Sequence, residues 1–183
     1  MAKKTTQKSK PNMPEMLDLS SSMAMAFATP IVAFPWPDSE KLNDSLTELI
    51  RKKEQESEGM VRSNVSGWHS NVDFFNWQAS CVQELAGRIE QVLASLTRAI
   101  SVAPEQGSTR RFSYRLDGWA NINRDGAYNN VHNHPNCLWS GAYYVAPGEA
   151  DPSRPNNGKL ELLDPRTGVN MLYNKGTLFE ARY

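Results

Sequence analysis

Two of the chain's three histidines, His132 and His134, stand one residue apart in the stretch "NNVHNHPNCLWSGAYYV", residues 129–145. Side chains at positions i and i+2 of a strand point to the same face, so both imidazoles can converge on one metal ion. Imidazole nitrogen suits Fe(II), Zn, Cu or Ni, and two such ligands with one carboxylate form the facial set of non-haem iron oxygenases. The alternative is a pair of polar residues on a solvated strand, and the motif alone does not separate the two.

The composition is that of one ordinary globular domain. The chain has 183 residues, of which 39% are hydrophobic, and its 20 basic residues balance 20 acidic ones, so nothing points to nucleic acid or membrane partners. No apolar run is long enough to cross a bilayer and the N-terminus lacks the apolar segment of a signal peptide, which predicts a cytoplasmic protein. Cys81 and Cys137 lie far apart without a C-x-x-C pair, which predicts reduced thiols.

The first half of the chain predicts a tail and two helices. Residues 1–22, lysine-rich and nearly devoid of apolar side chains, are expected to form a disordered basic tail, and residues 23–183 a single domain. Ser39 has the position of an N-cap, and helical spacing follows it at Leu42, Leu46, Leu49 and Ile50. A second helix is predicted within residues 71–100, with a core-facing stripe of Val82, Leu85, Ala86, Ile89, Leu93 and Leu96.

The second half predicts short strands. "RRFSYRLDGWANINRDG" (residues 110–126) alternates like a strand and ends at a turn-forming Arg-Asp-Gly. "CLWSGAYYVA", "GKLELLD" and "VNMLYNKGTLFEARY" follow, each separated by Gly, Pro, Asn or Asp. Two helices followed by a series of short strands favour an α+β protein with an antiparallel sandwich or jelly roll.

Several blocks together resemble a known family. "HNHPNCLWSGAYYV" and "NNGKLELLDPR", with "SNVSGWHS" and "WANINRDGAYNN" upstream, are similar to the 2-oxoglutarate- and Fe(II)-dependent oxygenases of phages and bacteria, in the prolyl-hydroxylase-like superfamily. The resemblance runs from about Phe27 to Arg166. It implies a double-stranded β-helix (a jelly roll) with the N-terminal helices packed on one sheet, and a dioxygenase that uses Fe(II) and 2-oxoglutarate.

The resemblance also implies roles for single residues. His132 corresponds to the first iron ligand, and His134 occupies the second slot, where most of the superfamily has aspartate; the site would therefore offset less of the charge of Fe(II). Tyr144 matches a tyrosine that hydrogen-bonds the 2-oxoglutarate carboxylate, with Ser140 nearby on the same strand face. The alternative for Tyr144 is a core side chain with its hydroxyl at the rim.

Other polar residues are open to two interpretations. Asn121 and Asn123 share one strand face and either line a substrate pocket or cover a wet sheet surface. Asp164 and Arg166 are expected to organise a turn, with Asp164 as the less favoured option for a carboxylate ligand. The family has other residues in the loop of His69, so a structural or surface role is expected there.

The family pattern continues to a distal histidine ligand and an arginine that binds 2-oxoglutarate, and neither has a recognisable counterpart in this chain. We therefore expect a C-terminally incomplete sequence: a fragment, a truncated relative, or a chain complemented by a partner. The competing functions are an inactive jelly-roll module for binding or assembly, and a cupin-like enzyme in which His132, His134 and Glu161 bind Zn or Mn. The substrate is expected to be a small molecule or a protein side chain.

Overall fold

The computed structural model describes residues 29–100, 113–149, 151–154 and 157–163. The chain divides into two units, Met1–Pro35 with Ala181–Tyr183, and Trp36–Glu180. The described part of the first unit, residues 29–35, contains no helix or strand. The predicted basic tail and the predicted last strand, residues 169–183, lie outside the described residues, and all features below belong to the second unit.

Helix α1 spans Glu40–Glu56 and confirms the first predicted helix. The amide of Asn43 donates to the carbonyl of Ser39 over 2.8 Å, which makes Ser39 the N-cap residue. Its hydroxyl does not cap the helix but donates backwards to the Trp36 carbonyl, at 3.1 Å. Three members of the predicted apolar stripe are buried and Leu49 packs against them; the buried ones are Leu42, Leu46 and Ile50.

Helix α2 spans Ser80–Ile100, so the second predicted helix exists but begins later than its sequence pattern suggested. A short 3₁₀ helix, Phe74–Asn76, precedes it. Here Phe74 is buried and the Trp77 indole donates to the Asp73 carboxylate at 3.2 Å, which fixes a tight turn in place of continuous helix. The first turns of α2 contribute three buried side chains to the core: Cys81, Val82 and Leu85.

Within the described residues, four two-residue strands form two antiparallel ribbons. Strand β1 (Asn64–Val65) pairs with β4 (Tyr128–Asn129), and β2 (Trp68–His69) pairs with β3 (Asn121–Ile122). Between β3 and β4 the predicted Arg-Asp-Gly turn is confirmed: the Ala127 amide donates to the Arg124 carbonyl at 2.9 Å, and Gly126 has φ +81°. Both ribbons are built from the same two segments of the chain: residues 64–69 contain β1 and β2, and residues 121–129 contain β3 and β4.

The core lies between the helices and the β2–β3 ribbon. Its buried members are Leu42, Leu46, Ile50, Trp68, Phe74, Cys81, Val82, Leu85 and Ala120. Cys81 is therefore a buried thiol, while Cys137 is exposed, and both are free. The described helices include none that is long and apolar enough to cross a membrane.

The later predicted strands differ from the structure. Residues 137–146 and 158–163 contain no strand, and Leu160, Leu162 and Leu163 are more than half exposed. A strand needs a partner for its backbone groups, and residues 137–146 are attached through side chains instead. The Trp139 indole donates to Thr97 of α2 at 3.3 Å, and Tyr143 packs against the core. The described structure is thus helical with small antiparallel sheets, compatible with the α+β class.

Candidate metal centre

The β2–β3 ribbon has one apolar face and one face that carries a histidine and an asparagine. His69 lies opposite Asn121 and Trp68 lies opposite Ile122 in the antiparallel register. Directly opposed side chains share a face, so Trp68 and Ile122 point to the core while His69 and Asn121 point to the other side. Trp119, two residues before Asn121, continues that second face.

His69 is fixed on this face. The residue is buried, with 3% of its surface exposed. Its Nδ1 lies 2.6 Å from the carbonyl oxygen of Ser70, and because a carbonyl can only accept, Nδ1 carries the hydrogen. The ring stacks on the indole of Trp119 with 5.3 Å between ring centroids and 13° between planes. The expected structural role of His69 thus takes the form of a buried stacking partner.

The stack continues to the His-x-His motif. Trp119 also stacks with His134, at 5.4 Å between centroids and 27° between planes. His134 in turn meets His132 edge to face, with centroids 4.8 Å apart. We call the four side chains His69, Trp119, His134 and His132 the histidine row. It brings all three histidines of the sequence into one continuous set of ring contacts.

His132 is oriented by the β1–β4 ribbon. The amide of Asn130, next to β4, donates to the Ser63 carbonyl at 2.8 Å, which extends the ribbon by one hydrogen bond. The carbonyl of Asn130 then accepts the Nδ1 hydrogen of His132 at 2.7 Å. This leaves the lone pair of the neutral ring on Nε2, at an exposed side chain. A histidine that donates from one ring nitrogen to a carbonyl is oriented as metal ligands usually are.

The surroundings of His134 lower its pKa. Partial burial lowers the pKa of His134 below its usual value, and the electrostatic effect of the neighbouring His132 lowers it further. A neutral imidazole has a lone pair free for a metal, whereas the imidazolium ion has none. The His134 ring is partly buried and stacks on Trp119, and its lowered pKa favours the form that can bind a metal.

The two predicted pocket residues, Asn121 and Asn123, follow Trp119 at every second position of the chain. Both side chains are exposed. Asn123 lies against Gly67, where the oxygen of its amide occupies the space that a Cβ would take. The structure therefore places Asn121 opposite His69 and Asn123 against Gly67, and their role in substrate binding stays a prediction.

The predicted 2-oxoglutarate residues lie in the segment after the motif. Tyr144 is 52% exposed and Ser140 is exposed, while Tyr143 and Val145 are partly buried against the core. The alternation expected of "SGAYYV" is present in the burial of residues 142–145, whereas Ser140 and Gly141 are both exposed, and no strand forms there. Tyr144 is not a core side chain, and its contact with 2-oxoglutarate, like that of Ser140, stays a prediction.

The donor set fits part of a metal centre. Two adjacent imidazoles, one oriented through its Nδ1 hydrogen bond and one with a lowered pKa, suit two nitrogen ligands of Fe(II). Among the residues that the structure describes, no group of three or more His, Cys, Asp or Glu side chains could hold a metal ion. Glu161, the carboxylate of the cupin-like alternative, is exposed, and Asp164 and Arg166 lie outside the described residues.

Sequence reasoning did not single out Trp119 or the stacking role of His69. A signal was available for Trp119, because positions 119, 121 and 123 alternate and place its side chain with the two asparagines. No comparable signal existed for His69. It comes close to Trp119 because β2 pairs with β3 across about fifty residues of sequence, and the periodicity of a sequence does not reveal such long-range pairing.

Comparison with known proteins gave one match. Neither the curated proteins nor the solved structures include a significant match to the chain. A family model described as "Putative 2OG-Fe(II) oxygenase" matches residues 117–181. The matched segment contains three of the four members of the histidine row, Trp119, His132 and His134. Residues 117–181 are thus similar to the 2-oxoglutarate- and Fe(II)-dependent oxygenases, the family that the His-x-His-Pro motif also resembles.

Proposed function

We propose that this protein is a non-haem Fe(II)- and 2-oxoglutarate-dependent dioxygenase that hydroxylates its substrate. The observation behind this proposal is the contact between the rings of His132 and His134. Their centroids are 4.8 Å apart, and both residues lie in the segment that the family model matches. The free Nε2 of His132 and the lowered pKa of His134 support it, because both favour the ligand form of imidazole.

In this proposal the chain's own residues bind and orient. His132 and His134 each present a ring nitrogen to Fe(II), and Trp119 shields one face of His134 from water. The hydroxyls of Tyr144 and Ser140 donate hydrogen bonds to a carboxylate of 2-oxoglutarate. When bound, Fe(II) with 2-oxoglutarate as electron donor would activate O₂, the oxidant for C–H hydroxylation, which protein side chains alone cannot do.

The substrate would lie beside the exposed amides. Asn121 and Asn123 each offer two N–H donors and one carbonyl acceptor, which suits a polar small molecule or the backbone around a protein side chain. Their place on the ribbon face of Trp119 supports this role. The amides would orient the substrate by hydrogen bonds, while the two proposed metal ligands, His132 and His134, lie at the exposed end of the histidine row.

The proposal extends to fold and setting. We infer a double-stranded β-helix for this domain, supported by the family match and by the antiparallel pairing of both ribbons. A cytoplasmic location, in the host cell if a phage encodes the protein, and a phage or bacterial origin belong to the same proposal. Neither nucleic acid nor membrane is a proposed partner.

An anaerobic titration tests the proposed function. The purified chain is titrated with Fe(II) and then with 2-oxoglutarate, and the visible metal-to-ligand charge-transfer band is recorded. We expect a saturable band that His132→Ala or His134→Ala abolishes. Asn133→Ala, which changes the exposed residue between them, is the matched control and should retain the band. A folded wild-type chain without a band would contradict the proposal and favour the non-catalytic binding module.

A further inference from the structure

We propose that Trp119, braced by His69, is a positioning residue that fixes the ring orientation of His134. This inference rests on the proposed function in so far as His134 is to bind a metal. It concerns Trp119 and His69, the two members of the histidine row that are not proposed as metal ligands. The argument follows the row from its buried end to its exposed end.

The buried end is rigid. His69 has almost no exposed surface, its backbone pairs with Asn121, and its Nδ1–H is held by the Ser70 carbonyl. The His69 carbonyl additionally accepts the Met60 amide at 2.7 Å. With backbone and ring both hydrogen-bonded, the imidazole cannot rotate without losing a bond in a buried site. It therefore offers a fixed plane for the next ring.

Trp119 is fixed on both sides by its neighbours in the chain. The Gly118 carbonyl accepts the Phe74 amide at 3.1 Å. Ala120 exchanges two bonds with Ser70: its amide donates to the Ser70 hydroxyl at 3.0 Å, and its carbonyl accepts the Ser70 amide at 2.9 Å. The indole, near parallel to His69 at 13°, thus extends the fixed plane outwards by one ring.

His134 needs such a support. Metal-binding histidines usually donate their second ring N–H to a protein acceptor, which sets the ring orientation, as His132 does to Asn130. In the described part of the chain, the contacts given for His134 are those of its ring with Trp119 and His132, and residues 130–136 form no strand. The contact with Trp119, at 5.4 Å and 27°, is the restraint that takes the place of the hydrogen bond.

Two readouts on the full chain test the inference. The first is the NMR shift of the His134 ring protons without metal, since a ring stacked on an indole face is shifted upfield. The second is the affinity for Zn(II), a diamagnetic probe. We expect Trp119→Leu to remove the upfield shift and to lower Zn(II) affinity by about 10- to 100-fold, the usual cost of losing an orienting partner. Trp119→Phe keeps an aromatic plane and should retain most of both.

Trp77→Leu is the matched control, because it removes a partly buried indole that packs on Phe74 away from the histidine row. It should lower stability but leave the His134 shift and the Zn(II) affinity unchanged. Equal Zn(II) affinity in Trp119→Leu and wild type, or an equal loss in both leucine variants, would overturn the inference.

The two proposals fail in different ways. A wild-type chain that binds no Zn(II) or Fe(II) contradicts the proposed function, whatever the NMR result. In that case the metal-free shift decides the positioning role: loss in Trp119→Leu alone supports it, and an unchanged His134 shift overturns it. His69→Phe, which preserves a stacking ring in the buried position, should keep the shift, whereas His69→Ala should weaken it.

Discussion

The hydroxyl of Tyr143 donates a hydrogen bond to Oδ1 of Asn43 over 2.5 Å and so joins the segment after the His-x-His motif to α1 across 100 residues of sequence. The Tyr143 ring also packs on Trp36, with centroids 5.2 Å apart. Its neighbour Tyr144 is half exposed. Tyr143 therefore holds the segment to α1, whereas the task of Tyr144 in ligand binding belongs to the proposed function.

Tyr143→Phe should lower the free energy of unfolding by about 1 kcal/mol, the typical net value of one hydrogen bond in a partly buried site. The substitution keeps the ring and its contact with Trp36, so only the hydroxyl is lost. Urea unfolding followed by circular dichroism measures the effect.

Tyr144→Phe is the matched control for stability and should leave the unfolding midpoint unchanged. Under the proposed function it should instead weaken 2-oxoglutarate binding in the Fe(II) titration. A loss of stability in Tyr144→Phe as large as in Tyr143→Phe would contradict the division of tasks between the two residues.

Leu46 has no exposed surface and sits in the centre of the α1 stripe. Leu46→Ala should cost about 2–5 kcal/mol, because the deleted methyl groups leave a cavity that the helices fill only in part. Leu138→Ala, at a side chain that is 74% exposed, is the control and should change stability by less than about 0.5 kcal/mol. Comparable losses in both variants would mean that Leu138 is covered in solution.

The helices were predictable because their signals are local. The stripe at Leu42, Leu46 and Ile50 has helical spacing, and Ser39 precedes it at the N-cap position. The strands were harder, because a strand depends on a partner elsewhere in the chain. "CLWSGAYYVA" has the alternation of a strand, and the structure realises that alternation in burial only.

The candidate site was predictable in part. The spacing of His132 and His134 indicated that their rings could meet, and they do. The i, i+2 argument assumed a strand, yet the described residues 130–136 form none. Ring contacts and the Asn130 carbonyl hold the pair instead, and these arise from the long-range pairing of β1 with β4 and of β2 with β3.

Two glycines in the described chain should respond oppositely to alanine. Gly87 lies within α2 with open space where a Cβ would be, so Gly87→Ala should raise the free energy of unfolding by about 0.5–1 kcal/mol. Gly67→Ala should lower it, because the new methyl group would overlap the Asn123 amide and press on the Ile122 carbonyl. Thermal unfolding of the two variants beside wild type measures both effects.

The double variant Gly67→Ala/Asn123→Ala isolates the cause. Removing the Asn123 amide should recover part of the stability lost in Gly67→Ala, since the principal overlap disappears. The contact with the Ile122 carbonyl remains and limits the recovery. If the two substitutions were simply additive, the close approach of Gly67 and Asn123 would not be the source of the loss.

The Glu54–Arg124 ion pair should make stability depend on pH. Arg124, in the turn after β3, makes two hydrogen bonds to the Glu54 carboxylate of α1, at 2.6 and 2.8 Å. These bonds lower the pKa of Glu54 below its usual 4.5. A lowered folded-state pKa stabilises the fold above the unfolded-state pKa, and that contribution is lost as the pH falls through the folded-state value. Glu54→Gln should therefore be less stable than wild type at pH 7 and equally stable in acid.

Glu56→Gln is the control for this pH dependence. The pKa of Glu56 is also lowered, by the hydrogen bond from Lys53, but that pair lies within one exposed turn of α1. A local exposed pair contributes little to global stability, whereas Arg124 connects the helix to the ribbon. Urea midpoints of both variants across pH 3 to 7 should show the larger pH-dependent gap for Glu54→Gln. A gap that is as large for Glu56→Gln, or that widens in acid, would show that the Glu54–Arg124 pair does not stabilise the junction of helix and ribbon.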